Sequence, residues 1–229
     1  MNISHSDPNF ARLAFAADRL APLLDRIVFV GGCITGLLIT DAAAAPVRPT
    51  IDVDAIVSTA SYPEYAALES EIRELGFEPS LAEGSPICRW KSADLILDLM
   101  PTDSSILGFS NAWYGRALEN AQIVKIGRYE IRVITAPYFL ATKLEAFHGR
   151  GKNDYASHDL EDIITIIDGR QELITEVTKW AGDLTWIPKA KSFDLCWLAP
   201  HFAIRCPAIY CPMQPANSES VSFSKEFSK

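Results

Sequence analysis

The sequence lacks the features that mark secreted, membrane-spanning and disulfide-rich proteins. None of its apolar runs approaches the ~20 residues that a helix needs to cross a bilayer. The N-terminus has no basic stretch followed by an apolar one. The five cysteines form no CxxC pair and no Cys/His zinc spacing. We therefore expect a soluble, cytoplasmic protein with reduced thiols and no membrane association.

Basic residues are also scarce. The 229 residues include 21 Lys and Arg against 29 Asp and Glu, which gives a formal net charge of −8. This balance argues against a protein that coats long nucleic acid by neutralising its phosphates. It leaves open a local site in which bound cations supply the positive charge. Apolar residues make up 48% of the chain, enough for a sizeable core without disulfides.

Hydrophobic periodicity predicts a mixed first part and a helical second part. Helical spacing covers residues 7–24, 33–40, 63–75 and 113–119, and strands are predicted at 27–30, 50–57, 87–91, 95–99, 122–126 and 129–135. Three further helices follow at 137–148, 157–168 and 170–181. Because βα units do not alternate regularly, we expect an α+β fold with a mixed β-sheet flanked by helices, followed by a small helical cap.

The same pattern predicts three segments. A mixed core is expected over residues 1–135 and the helical cap over 136–186. Periodicity fails in the remaining tail, 187–229, which holds prolines, scattered aromatics and a Ser- and Lys-rich end. We expect poor order there and assign the tail no function.

An acidic pair in the middle of a predicted strand is the clearest candidate for chemistry. Strand residues two apart point to the same face of a sheet, so Asp52 and Asp54 share a face. The opposite face is expected to be buried through Ile51, Val53 and Val57. Two carboxylates held this close repel each other unless a cation lies between them. The pattern therefore predicts a cation-binding pair on a rigid strand.

A third carboxylate stands alone in an apolar strand. Asp98 lies between Leu97 and Leu99, where an unpaired charge would be costly. If its strand neighbours that of Asp52 and Asp54, three carboxylates converge, and oxygen-only ligands of this kind suit Mg²⁺ or Mn²⁺. These three aspartates are the predicted metal ligands and catalytic acids.

Two glycines follow the first predicted strand and precede a helix. Glycine lets a backbone approach a phosphate closely, and the N–H groups at a helix N-terminus bind anions. Gly31 and Gly32 are therefore candidate phosphate-binding residues. A Gly-Gly turn, an acid-x-acid strand about twenty residues later and a third acid on another strand suit phosphoryl transfer. In such sites two cations activate the attacking hydroxyl and steady the leaving pyrophosphate.

Together these motifs resemble the polymerase-β-like nucleotidyltransferases. That family has a Gly-Gly or Gly-Ser turn opening a helix, an Asp-x-Asp strand and a third Asp on a neighbouring strand. This chain has Val30-Gly31-Gly32-Cys33, Thr50-Ile51-Asp52-Val53-Asp54 and Leu97-Asp98-Leu99 in that order. The resemblance covers roughly residues 25–170. It implies transfer of a nucleoside monophosphate from an NTP to a hydroxyl acceptor, with release of pyrophosphate and with Mg²⁺ or Mn²⁺ as cofactor.

The second half resembles the AbiEii-type toxin nucleotidyltransferases of abortive-infection toxin–antitoxin systems. That branch has a Lys on a helix, an Arg-rich turn and an Asp-x-x-Asp helix, which correspond here to Lys143, Arg150-Gly151-Lys152 and Asp159 with Asp162. The resemblance implies that Lys143 contacts the triphosphate and acts in catalysis, and that Asp159 helps to organise the nucleotide site. It also implies RNA, such as tRNA, as the acceptor and a cognate antitoxin as a partner.

Other interpretations stay open. An Asp-x-Asp strand also occurs on exposed edges, and acids at a helix start are favoured by the helix dipole whatever their function. A domain that binds nucleotides or a partner without catalysis would keep the same fold. A small-molecule acceptor of the aminoglycoside type would keep the same chemistry. A dinucleotide-binding unit also begins with a strand, a glycine turn and a helix, but Gly31-Gly32 followed by Gly36 departs from GxGxxG.

Overall fold

The computed structural model describes residues 7–59, 61–149 and 154–183. These residues form an α+β structure in which a seven-stranded mixed sheet is flanked by helices, as the sequence predicts. The turn at 150–152 and the tail from residue 187 lie outside the described residues, so the predictions made for them stay predictions. The proposed division between core and cap also stays a prediction.

The described residues hold seven strands and eight α-helices. The strands are β1 (Ile27–Val30), β2 (Asp52–Val57), β3 (Glu78–Pro79), β4 (Arg89–Ser92), β5 (Leu95–Pro101), β6 (Gln122–Ile126) and β7 (Tyr129–Val133). The helices are α1 (Phe10–Arg19), α2 (Thr35–Leu38), α3 (Tyr62–Glu74), α4 (Ser104–Leu107), α5 (Tyr114–Glu119), α6 (Ala136–His148), α7 (His158–Gly169) and α8 (Leu173–Asp183). Only β3 and α4, both short, have no counterpart among the predicted elements.

The register of the sheet brings the predicted motifs to one end of its central strands. The strand order is β3-β4-β5-β2-β1-β7-β6. β2 runs parallel to β5, with Asp54 opposite Asp98. β1 is antiparallel to β2, with Val30 opposite Asp54, so the Gly-Gly turn after β1 begins beside this acid. The prediction that the two acidic strands are neighbours is confirmed.

The acidic strand differs in two respects from its prediction. β2 begins at Asp52, so the acids lie at the start of the strand and not in its middle. Ile51 precedes the strand and is 67% exposed, which contradicts its predicted place in the core. Beyond Asp54 the strand is buried on both faces, because Ala55 and Ile56 are both fully buried. A charged pair further along β2 would therefore have been enclosed without solvent, at a high desolvation cost.

The first two predicted helices are shorter than their hydrophobic spacing indicates. α1 ends at Arg19, and a 3-10 turn, Ala21–Leu23, contains Pro22. A proline in a helix interior has no N–H to donate and clashes with the preceding turn, which accounts for the break. After β1 the chain forms another 3-10 turn, Gly32–Ile34, before the four-residue α2.

A buried asparagine ties the start of α1 to the entrance of β2. The Asn9 side chain is fully buried and donates from Nδ2 to the carbonyl of Arg48 at 2.9 Å. Its Oδ1 accepts from the backbone N–H of Thr50 at 2.8 Å and from the Thr50 hydroxyl at 3.3 Å. Asn9 thus fixes the path of the loop that delivers Asp52 to the sheet.

The helices of the second half pack on one another beside the sheet. α6 contacts α5, α7 and α8, and α7 contacts α2. Most of α6 is buried, including Phe139, Leu140 and Lys143. Among the described helices, none combines the length and the apolar character that crossing a membrane requires.

We predict that Asn9→Ala lowers the free energy of unfolding by about 1–3 kcal/mol, because it leaves the Thr50 N–H and the Arg48 carbonyl without their buried partner. Urea unfolding followed by circular dichroism measures this change. Ser70→Ala is the control, since its hydroxyl bonds only to the Ala66 carbonyl on the exposed side of α3, and we expect a change within ~0.5 kcal/mol. Equal effects of the two substitutions would contradict the role given to Asn9.

Candidate active site

Three carboxylates meet where β2 and β5 lie side by side. Asp54 and Asp98 are register partners, and Asp52 is two residues before Asp54 on the same strand. Asp98 is only 7% exposed, whereas Asp52 and Asp54 are half-buried. The structure therefore brings together the three predicted metal ligands and catalytic acids. Their chemical roles stay predictions.

An arginine of β4 binds two of these three acids. Arg89 is the register partner of Asp98 across the β4–β5 hairpin. Its Nε and Nη2 donate to Asp98 Oδ1 and Oδ2, each at 2.7 Å, in the two-pronged geometry that a guanidinium forms with a carboxylate. Nη2 also donates to Asp52 Oδ2 at 2.7 Å. One guanidinium group thus bridges two acidic strands.

The acids in turn stabilise the charged arginine. The hydrogen bonds that Arg89 donates to Asp98 raise the pKa of Arg89. Partial burial opposes this effect, and the negative charges of Asp98, Asp52 and Asp54 raise the pKa further. Arg89 is therefore a permanent positive charge inside the acidic group. This charge offsets the repulsion that three neighbouring carboxylates would otherwise exert on one another.

The Gly-Gly turn lies against the second acid. Gly31 has φ +72°, a conformation that disfavours residues with a Cβ. A Cβ added to Gly31 would also overlap the carboxylate of Asp54. Both the backbone angle and the lack of space therefore require glycine, and the turn packs against Asp54.

A second group of charged side chains lies between α6 and α7. Lys143 of α6 places Nζ 3.0 Å from Asp159 Oδ1 and 2.7 Å from Asp162 Oδ2, both on α7. Burial alone would lower the pKa of Lys143, but the charges of Asp162 and Asp159, with a weaker contribution from Asp54, raise it above its ordinary value. Lys143 is thus a buried ammonium group that interacts electrostatically with Asp54 of β2.

Arg48 and Asp162 lie on the other side of the Gly-Gly turn. Its Nε and Nη2 each lie 3.2 Å from a carboxylate oxygen of Asp162. A Cβ on Gly32 would lie 2.7 Å from Arg48 Nη2 and 3.2 Å from Asp162 Oδ2. Gly31 therefore faces Asp54 while Gly32 faces Arg48 and Asp162, and the turn is flanked by charges on both sides.

Sequence reasoning missed the two arginines and gave Asp162 no role that separated it from an ordinary helix-start acid. A signal for Arg89 exists, because Ser92 pairs with Leu95 across the two-residue turn Ala93-Asp94. Counting back from that turn along the antiparallel strands sets Arg89 opposite Asp98. No comparable local signal exists for Arg48, since its contact with Asp162 joins segments 114 residues apart.

The acidic group is chemically suited to a divalent cation. The Oδ2 atoms of Asp52 and Asp98 both lie 2.7 Å from Arg89 Nη2, so two carboxylates already converge on one positive charge. Oxygen-only ligands of this kind suit Mg²⁺ or Mn²⁺. Among the described residues, no three His, Cys, Asp or Glu side chains are arranged to hold a metal ion. The carboxylate oxygens are of the type that such an ion prefers, and metal binding by these acids stays a prediction.

Comparison with known proteins yields structural likenesses alone. No family model and no curated protein matches the chain. An antigenic nucleotidyltransferase-like protein from Paracoccidioides brasiliensis is similar in structure, with a TM-score of 0.47 and 18% identity over 79% of this chain and 91% of that one. The antibiotic-resistance factor ANT(2'')-Ia is similar with a TM-score of 0.46 and 12% identity over 76% of this chain and 93% of that one. Similarity at this level establishes neither family nor activity.

We predict that Gly31→Ala is markedly more destabilising than Gly84→Ala. Gly84 also has a positive φ, +75°, but open space around it. Gly84→Ala should therefore show only the cost of the backbone conformation, about 1–2 kcal/mol. Gly31→Ala should add ~1–3 kcal/mol, because its φ of +72° and ψ of −171° lie in a region populated almost only by glycine and because the added Cβ displaces Asp54. Paired urea unfolding curves measure the difference, and equal effects would show that Asp54 does not lie against the turn.

Proposed function

We propose that the protein is a nucleotidyltransferase that moves a nucleoside monophosphate from an NTP to a hydroxyl acceptor and releases pyrophosphate. The observation that carries this proposal is the register of β2 against β5, which sets Asp54 opposite Asp98 while the Gly-Gly turn lies against Asp54. A Gly-Gly turn and a group of three carboxylates therefore share one end of the sheet. This combination supports phosphoryl transfer, because carboxylate oxygens suit the divalent cations that such a reaction uses.

The three aspartates would divide between metal binding and proton transfer. Asp52, Asp54 and Asp98 would hold Mg²⁺ or Mn²⁺ between them. A divalent cation bound there would supply positive charge against the phosphate oxygens of the NTP. Asp98, the most buried of the three, would also accept the proton of the attacking hydroxyl.

In the proposed step the acceptor oxygen forms a bond to the α-phosphorus and the bond from that phosphorus to the bridging oxygen of pyrophosphate breaks. The acceptor proton passes to Asp98, and the electron pair leaves with pyrophosphate. Catalysis would rest on positioning and on electrostatic stabilisation, as in phosphoryl transfer generally.

The remaining predicted residues would bind the triphosphate or compensate its negative charge. Gly31 and Gly32 would lie against the triphosphate with their backbone. Lys143 would offset the charge of the leaving pyrophosphate, and this role is supported by its place beside Asp162, whose carboxylate lies near Gly32. Asp159 would hold the Lys143 ammonium in position through the 3.0 Å contact between them.

For the acceptor we propose RNA, such as tRNA, and for the protein the role of the toxin in a toxin–antitoxin pair with a cognate antitoxin. The support for this finer proposal is the resemblance of the segment from Lys143 to Asp162 to AbiEii-type proteins. Labelling of a small molecule instead of RNA would replace this acceptor while leaving the transfer reaction in place.

We predict Mg²⁺-dependent transfer of label when the full-length protein is incubated with each α-³²P-labelled NTP and total RNA. Asp98→Asn should lower the transfer rate at least ~100-fold, because the substituted amide cannot take the acceptor proton. Gel separation of RNA, protein and small molecules identifies the labelled product.

Asp94→Asn is the matched control, since Asp94 is an exposed acid in the turn of the same β4–β5 hairpin. It should keep the wild-type transfer rate, and circular dichroism should show both variants folded. A folded Asp98→Asn protein with unchanged transfer would remove Asp98 from the reaction. Absence of label from every class of acceptor would contradict the proposed function.

A further inference from the structure

Arg89 occupies the point on which the acidic group converges. Its three hydrogen bonds to Asp98 and Asp52 are all 2.7 Å long, at the short end for bonds between charged groups. Both carboxylate oxygens of Asp98 and one of Asp52 accept from the guanidinium. A divalent cation that used these oxygens as ligands would compete with Arg89 for them.

The same contacts compensate the negative charge of the acids. Three carboxylates on neighbouring strands repel one another, and the repulsion is stronger for a buried group such as Asp98 than in bulk water. The guanidinium on the adjacent strand offsets this repulsion. Arg89 therefore acts on the acids as a bound cation would, but it is covalently part of the chain.

We propose that Arg89 is a tethered cation that competes with a divalent metal ion for Asp98 and Asp52, so that metal binding displaces its guanidinium from these two acids. This inference rests on the proposed function, since it concerns the same three acids. It goes beyond that function by making the occupancy of the site an exchange between an arginine and a divalent ion. Arg89 is thus a positioning residue that sets the metal affinity.

The position of Arg89 in the sheet allows such an exchange. It lies at the first residue of β4, and its carbonyl accepts from the Ser80 N–H at 2.9 Å, so its backbone is held while the side chain moves. Its side chain is 20% exposed, so the guanidinium has a path to solvent. Trp90, the next residue, is buried and anchors the strand while Arg89 moves.

Mn²⁺ affinity tests this inference independently of catalysis. The full-length protein is titrated with Mn²⁺, and the free ion is followed by its electron paramagnetic resonance signal, with and without a non-hydrolysable NTP analogue. Arg89→Gln removes the competing charge, so we expect Mn²⁺ to bind about tenfold more tightly or better than to the wild type. Thermal unfolding in EDTA should show the same variant destabilised, with a larger recovery on adding Mn²⁺ than the wild type shows.

Lys91→Gln is the matched control. Lys91 lies two residues along β4 and is exposed, so this substitution removes the same charge without touching the acids. We expect its Mn²⁺ affinity to stay within about twofold of the wild type. Arg89→Lys keeps the charge but not the two-pronged geometry, and its affinity should lie between those of Arg89→Gln and the wild type. If Arg89→Gln does not fold, the Mn²⁺ affinity of Arg89→Lys tests the inference in its place.

Unchanged or weaker Mn²⁺ binding in Arg89→Gln would overturn the inference, as would an equal gain in Lys91→Gln. The inference and the proposed function can fail separately. Nucleotidyl transfer by the wild type together with an unchanged Mn²⁺ affinity in Arg89→Gln would overturn the inference alone. Absence of Mn²⁺ binding from every variant, even with nucleotide, would overturn it, and absence of transfer as well would contradict the proposed function.

Discussion

The arrangement of the site depends on how the protein tolerates three carboxylates at the junction of two parallel strands. The pairing of β2 with β5 forces Asp54 and Asp98 together, and the strand period adds Asp52 on the same face. Like charges this close would drive the strands apart without a compensating cation. In the structure that cation is the guanidinium of Arg89, held by the β4–β5 hairpin. The hairpin, the parallel pair and the acids therefore form one electrostatic unit.

The surrounding structure serves to hold this unit in register with the Gly-Gly turn. Asn9 fixes the loop that leads into β2, so the start of the acidic strand is anchored to α1. Gly31 brings the turn against Asp54, since no larger residue fits there. On the other side of the turn, Asp162 accepts from both Arg48 and Lys143 and so links the loop before β2 to α6 and α7. Charged side chains thus flank the Gly-Gly turn on both sides.

Most of the fold and part of the site could be predicted from sequence, and the difference has a physical cause. Strand and helix periods are local, so the elements were predicted with errors mainly at their ends, and the acid-x-acid pair and the Gly-Gly turn could be seen directly. The neighbouring placement of Asp98 was a guess about strand order that the sheet confirms. Arg89 and Arg48 were missed because they belong to no motif, and only the folded chain brings them to Asp98 and Asp162. Ile51 was misplaced because the strand begins at Asp52, so Ile51 lies just outside the sheet and is exposed.

We propose that Asp52, Asp54 and Asp98 form a site for divalent cations and nucleotide. The most direct test is a crystal structure of the protein with Mn²⁺ and a non-hydrolysable NTP analogue, in which anomalous scattering locates the metal. We predict a Mn²⁺ peak within ~2.0–2.4 Å of oxygens of these aspartates. We also predict triphosphate against the Gly31-Gly32 turn and Arg89 moved off Asp98. Nucleotide and metal bound elsewhere, with the bonds from Arg89 to Asp98 and Asp52 intact, would contradict this proposal.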